Sequence, residues 1–213
     1  MAEQQHVSMT RIAYDTVAES YADLVRGELD GRHLEHGLLA TFADRVPAGE
    51  VLEVGCGSGR ITEHVHRLGL DVTGIDLSPN MIDVARREYP HLRFLVGSME
   101  SLDARDNSVA GIVAWYSIIH TPPEHLPAVF AELNRVVVPD GLLLLAFQSG
   151  DERVRLEHAY GHSVSYDAYR LDLDAIAAMV VDANFDVEVR VHRAPVGYEP
   201  TPQAYLMARK RPS

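Results

Sequence analysis

Val51 to Arg60 reads VLEVGCGSGR: a short apolar run interrupted by an acid, then Gly55, Gly57 and Gly59 at alternate positions. Glycine costs backbone entropy, so three in five residues imply positive φ angles or a close approach to the main chain. Val51–Val54 suits a short buried strand. Arg60 to Leu68 has helical spacing, and Gly69 follows in the usual C-terminal position. In an open α/β sheet, a loop between a first strand and a first helix lies at the carboxyl edge of the strands, where ligands bind.

The rhythm continues on both sides of this unit. Upstream, Ser8–Arg26 and His33–Val46 carry helical apolar spacing, and Pro47-Ala48-Gly49 breaks the second. Downstream, strands are expected at Val72–Asp76, Leu92–Val96, Val109–Trp115 and Leu142–Phe147. Helices are expected from Pro79 to about Tyr89, with Ser78 as cap, and over Glu124–Val137. Pro139-Asp140-Gly141 reads as a turn. Strands alternating with helices imply a parallel sheet covered on both faces. Gln148–Arg170 is polar and is expected to be an insertion over the sheet edge. Leu173–Asp182 reads as a last helix, and Phe185–His192 and Gln203–Arg209 as an antiparallel pair. The fold class is thus α/β, a doubly wound, mostly parallel seven-stranded sheet with an antiparallel last strand. The expected organisation is one domain over 1–213: a helical cap (1–48), a ligand-binding core (49–148), the insertion (149–171), and a last helix with a strand pair (172–213).

With 213 residues, 46% apolar and 23% charged, the chain has the composition of an ordinary globular domain. Its one cysteine, Cys56, excludes an internal disulfide framework and favours a reducing, cytoplasmic setting. MAEQQHVSMT lacks the basic and apolar regions of a signal peptide, and no apolar run is long enough to span a bilayer. A formal net charge of −12 disfavours nucleic acid and anionic membranes as partners. Arg209, Lys210 and Arg211 form the only basic cluster, read as a solvated terminus. Nothing in the sequence sets an oligomeric state.

Residues beyond the glycines narrow the ligand. No Lys-Ser/Thr comes after them, which excludes a P-loop, and the spacing G-x-G-x-G differs from the dinucleotide pattern G-x-G-x-x-G. Asp76 ends the second strand, where a carboxylate accepts hydrogen bonds from both hydroxyls of a ribose. Nicotinamide dinucleotide sites share that acid.

Taken in order, five segments resemble the class I, Rossmann-like methyltransferases that use S-adenosylmethionine, of the small-molecule type. They are Glu53-Val-Gly-Cys-Gly-Ser-Gly, Gly74-Ile-Asp-Leu-Ser-Pro-Asn-Met, Gly97-Ser-Met-Glu, Ser117-Ile-Ile-His and Leu133-Asn-Arg-Val-Val-Val-Pro-Asp-Gly. Tyr14-Asp-Thr-Val-Ala-Glu-Ser-Tyr21 is similar to the N-terminal helix of small-molecule members. The resemblance implies that Glu53, Gly55, Gly57 and Gly59 wrap the methionine part of S-adenosylmethionine and that Asp76 holds its ribose. Leu77, Met81, Ser98 and Met99 would border the adenine, Trp115 would lie beneath the methionine moiety, and Tyr14 or Tyr21 would cap it. Many members carry an acid where Ser98 stands, so backbone atoms or the serine hydroxyl must serve here. Arg60 either pairs with the carboxylate of the cofactor or faces solvent. Cys56 fills space inside the loop.

Methyl transfer from a sulfonium needs alignment rather than a metal or a covalent enzyme intermediate. A hydroxyl or amine acceptor must lose a proton, and His120, following the fourth strand, is the candidate base. His158 and His162 are four apart but lack a third ligand of clear spacing and a firm helix, so no metal site is expected. Tyr160, His162 and Tyr198 are instead candidates for the wall of an acceptor pocket. The acceptor is expected to be a small molecule, with the methylated atom open among oxygen, nitrogen, carbon and sulfur. Two other readings use the same residues: an NAD(P)-dependent oxidoreductase, and a non-catalytic cofactor-binding or partner-binding protein.

Overall fold

The computed structural model describes residues 5–197 and 199–212. Seven strands form one sheet in the order β3-β2-β1-β4-β5-β9-β8. They are β1 (Val51–Val54), β2 (Val72–Asp76), β3 (Arg93–Val96), β4 (Val109–Trp115), β5 (Val137–Gln148), β8 (Phe185–Arg193) and β9 (Gln203–Lys210). β1 to β5 pair in parallel, while β9 runs antiparallel to both β5 and β8. The α-helices among the described residues are α1 (Gln5–Val25), α2 (His33–Arg45), α3 (Arg60–Arg67), α4 (Pro79–Glu88), α5 (Leu126–Val136) and α6 (Leu173–Asp182).

Burial on both sides explains why the central strands carry apolar runs rather than alternation. Leu52, Ile112, Leu143 and Leu145 point to a core closed by Phe130 and Leu133 of α5 and by Ile176 and Val180 of α6. Val51, Val113, Leu142 and Leu144 point the other way, onto Leu39 and Phe42 of α2 and Ile61 and Val65 of α3. β9 is buried along nearly its whole length, and Lys210 at its end is only 6% exposed. Lys210 Nζ donates to Asn107 Oδ1 and to the carbonyls of Asn134 and Val137, at the C-terminal end of α5. Among the described residues no helix is long and apolar enough to cross a membrane.

Two segments depart from the sequence reading. β5 starts at Val137, not Leu142, and takes Pro139-Asp140-Gly141 into the strand as an irregularity, with Asp140 at φ 63. The pairing skips accordingly from Val109–Val137 to Gly111–Leu142. The polar insertion is a hairpin of β6 (Arg153–Ala159) and β7 (His162–Tyr169), turned at Tyr160-Gly161 with positive φ at both residues. Its Tyr160 and Val164 pack on Val17 and Ala18 of α1. The exposed outer residues Arg153, Arg155, Glu157 and His158 hide the strand alternation among charges.

Phe94 explains a further glycine. A Cβ on Gly59 would stand 2.6 Å from the Phe94 ring, and one on Gly74 would meet the same ring. Gly59 also holds φ at +82. Gly59→Ala is expected to lower unfolding stability by roughly 1–3 kcal/mol in urea titration. Phe94→Leu added to it should recover part of that loss, since the strain at φ remains but the clash does not.

Candidate functional site

The parallel strands deliver their following loops to one edge. There the glycine loop, the end of β2, the turn after β3 and the one-turn 3₁₀ segment Ile118–His120 after β4 enclose a cavity, roofed by α1. Its lining includes Tyr14, Tyr21, Gly55, Gly57, Asp76, Leu77, Ser98, Met99, Trp115 and His120. The structure thus brings together ten of the residues singled out from the sequence. His6, Thr10, Glu100, Tyr116 and Ser117 join them without having been assigned a role.

The glycine loop is fixed by main-chain bonds. Gly55 and Cys56 N–H both donate to the carbonyl of Ile75, at 2.7 and 3.0 Å. Gly57 N–H donates to Asp76 Oδ2 at 2.8 Å, and Ser78 N–H donates to Asp76 Oδ1 at 2.9 Å. Burial nevertheless raises the Asp76 carboxyl, against the lowering effect of these two bonds. Gly55 is demanded by the protein itself, because a Cβ there would lie 2.2 Å from Ser117 Cβ. Gly57, at φ +53, has only the Tyr21 ring edge near a hypothetical Cβ, at 3.4 Å. Of the three glycines, Gly57 is the one whose open side belongs to the cavity.

Other expected residues lie elsewhere. Glu53 stands behind the loop, 1% exposed, accepting from Thr62 Oγ1. Burial pushes its carboxyl up to about 8. Cys56 is buried in the cluster of Phe94, Ile82 and Ala85, and burial raises its thiol well above the ordinary range. Gly59 faces Phe94. Met81, expected at the adenine edge, is fully buried under α1 with Val17 and Ala18. Arg60 neither faces solvent nor enters this cavity; its Nη2 donates to Glu28 Oε2 at 2.5 Å. His162 is exposed at the hairpin turn, away from the cavity lining. Tyr198 lies outside the described residues.

α1 is tied down along its length. His6 Nε2 pairs with Glu100 Oε1 at 2.7 Å. Asp15 Oδ1 accepts from Ser78 Oγ at 2.6 Å while that same hydroxyl accepts from Met81 N–H as the cap of α4. Tyr14 Oη is 2.8 Å from His120 Nε2. At about 80 Å³ the cavity beneath is small for a ligand site. A second cavity of about 420 Å³ adjoins it, sharing Tyr14, Tyr21 and Tyr116 and adding Arg60, Tyr160 and Gln148. Tyr116 stands in the dividing wall at φ 56, a strained angle for a tyrosine. It is held from behind: its hydroxyl is 3.2 Å from Tyr205 Oη, which donates to Glu35 Oε1 at 2.6 Å.

The strand order, the reversed β9, the glycine loop and the acid ending β2 give a fold shared with solved S-adenosylmethionine-dependent methyltransferases. Residues 51–141 match a family model described as a methyltransferase domain. An uncharacterized methyltransferase of Mycobacterium tuberculosis is 33% identical over 123 residues, 56% of this chain and 48% of that protein. The malonyl-[acyl-carrier protein] O-methyltransferase of Serratia marcescens is 33% identical over 100 residues, 47% of this chain and 38% of that protein. The chain therefore spans about half the length, or less, of these curated relatives. Among solved structures, the magnesium protoporphyrin IX methyltransferase of Synechocystis, with S-adenosylmethionine bound, superposes with a TM-score of 0.75 at 15% identity, covering 99% of each chain. A second structure, described as a DhpI–SAH complex, gives 0.75 at 19% identity over 100% of each chain. At such identities the likeness is one of fold.

Glu53 generates a test of the electrostatics. The folded carboxyl titrates near 8, and an unfolded glutamate near about 4.3. Between those values the folded state holds the extra proton, so stability falls as pH rises across that window. Glu53→Gln removes the titration. By pH 8.5 the variant is expected to be the more stable, by on the order of 4 kcal/mol, with the two proteins converging near pH 4.5 in denaturant titrations.

Proposed function

We propose that this chain binds S-adenosylmethionine in the cavity at the carboxyl edge and transfers its methyl group to a small-molecule acceptor by in-line displacement. The observation that carries this reading is the hydrogen-bonding capacity left over in the cavity wall. Each Asp76 oxygen holds one N–H, and a carboxylate offers about four lone-pair sites. Two adjacent ribose hydroxyls can therefore be accepted while the glycine loop stays pinned. Ser117 Oγ, in the same wall, is buried with no partner, a state that costs free energy unless a ligand answers it.

The remaining lining fits the group in kind. Tyr14, Tyr21 and Trp115 present rings, which suit a cation. Ser98 and Met99 supply a small polar and an apolar wall beside Leu77. Bound here, S-adenosylmethionine supplies a methyl group already activated on a sulfonium. The chain supplies orientation and a site without competing water, worth roughly 7–11 kcal/mol of barrier lowering when alignment is good. The relatives named as methyltransferases agree with that assignment. The adjoining cavity gives the acceptor a place beside the cofactor, and the single buried Cys56 suits a cytoplasmic setting.

Calorimetric titration with S-adenosylmethionine, S-adenosylhomocysteine and NADH tests the reading. Binding of the first two and not the third is expected. NADH binding alone overturns it in favour of an oxidoreductase. Gly57→Val, which fills the open side of the loop at a positive φ, should abolish binding while leaving the circular dichroism spectrum unchanged. Retained affinity in that variant removes the loop from the site.

A further inference from the structure

Two buried polar atoms, Arg60 Nη1 and His64 Nε2, lack a hydrogen-bond partner. Both residues line a third cavity of about 270 Å³, walled by α3, by α2 and by the turn that joins α1 to α2. Arg60, His64 and Arg67 are spaced i, i+4 and i+7, so they share one face of α3. Arg60 also lines the second cavity, where its Nη2 is engaged by Glu28 at 2.5 Å. Glu28 does not line the third cavity, which leaves Nη1 to that side.

The facing wall is fixed. His36 Nε2 donates to the carbonyl of Leu29 at 3.0 Å, which ties the turn to α2, and the His36 and His64 ring centroids are 4.8 Å apart. Burial lowers the His64 imidazole, and His36 and Arg67 lower it further. Both neighbours that act on its charge are therefore cationic, and a place that opposes a proton on histidine attracts an anion for the same reason. Two carboxylates face the space. Glu63 already takes Arg67 Nε at 2.7 Å and His91 Nε2 at 2.9 Å; Asp30 is the other. Tyr89 completes the titratable lining, and burial raises it, so it keeps its proton.

We propose that this cavity binds a phosphate group, free or carried by a small molecule, through Arg60 Nη1 and His64 Nε2. A tetrahedral oxyanion meets the two donors with different oxygens, in charge-assisted bonds that a neutral ligand does not form. Unanswered, the same buried donors cost free energy. Arg26 and Arg67 add positive charge at the exposed rim. The volume equals that of about nine waters in the liquid, so a phosphate fits together with part of the molecule that carries it. A formal net charge of −12 repels anions from the rest of the surface. The site stands whether or not the chain transfers methyl groups. An anion that favours a proton on Nε2 raises the imidazole pKa, so binding takes up a proton and tightens as pH falls.

Calorimetric titration of the full chain with sodium sulfate, which does not titrate near neutral pH, tests the site at an ionic strength held constant with sodium chloride. Saturable one-site binding is expected, several-fold tighter at pH 6 than at pH 8, with an enthalpy that depends on the buffer because a proton is taken up. Arg60→Lys keeps a charge beside Glu28 but loses the second nitrogen, and His64→Gln removes the titration. Each should weaken sulfate binding by about tenfold, and His64→Gln should also flatten the pH dependence. Arg67→Gln, a change to an exposed side chain, should weaken binding a few-fold and carries the test if either buried variant fails to fold. Inorganic phosphate and glycerol 3-phosphate separate the two sources: equal affinities point to free phosphate, and tighter binding of the ester to a carried group. Absence of saturable binding to folded wild type overturns the proposal, as does binding that none of the three variants weakens. A pH dependence retained in His64→Gln places the anion on His36 and overturns the two-donor site. Binding that appears only in Asp30→Asn makes Asp30 the native partner of Arg60 and overturns it too.

Discussion

The half-buried carboxylate of Asp76 is the point on which the site depends. One oxygen takes the N–H of Gly57 and the other the N–H of Ser78. It thereby joins the loop after β1 to the turn that starts α4. An unpaired carboxylate at this depth is costly, and two backbone donors offset part of that cost. The consequences spread outward. Ser78, held in place, caps α4 and at the same time donates to Asp15, so the start of α4 becomes the seat of α1. The roof is thus located by the same turn that forms the floor.

The layered fold was legible because its strands are short apolar runs between strong breakers. Val51–Val54, Val72–Asp76 and Val109–Trp115 coincide with the expected strands, and Ser78-Pro79 marks the start of α4. What escaped was structure carried by pairing rather than by composition. β6 alternates, but around two half-buried residues, Val154 and Leu156, among exposed charges. The start of β5 lies before a Pro-Asp-Gly sequence that reads as a turn and is accommodated as a kink.

The cavity lining was legible where a motif names it: the glycine loop, Asp76, Ser98-Met99 and His120. It was not legible where the meaning of a residue depends on a distant neighbour. Gly59 is glycine because Phe94 lies against it, and Gly55 because Ser117 does. Arg60 answers Glu28 at the end of a segment far upstream. Tyr116 gave no local signal. Its left-handed backbone and its support from Tyr205 and Glu35 appear only when α2, β4 and β9 are brought together. Sequence spacing registers what a motif holds in common, whereas these contacts belong to one packing arrangement.

The tethered roof also has an energetic consequence. If the protein binds only when α1 is lifted, the observed dissociation constant equals the intrinsic one divided by the lifted fraction. Affinity is then adjustable from residues that never meet a ligand. Arg87 and Glu19 form two hydrogen bonds between α4 and the outer face of α1, and Arg26 reaches Glu88 beside them. Such exposed pairs contribute little individually and weaken as salt is added. Under that condition ionic strength acts as a distant dial, loosening the roof and lowering the free-energy cost of entry.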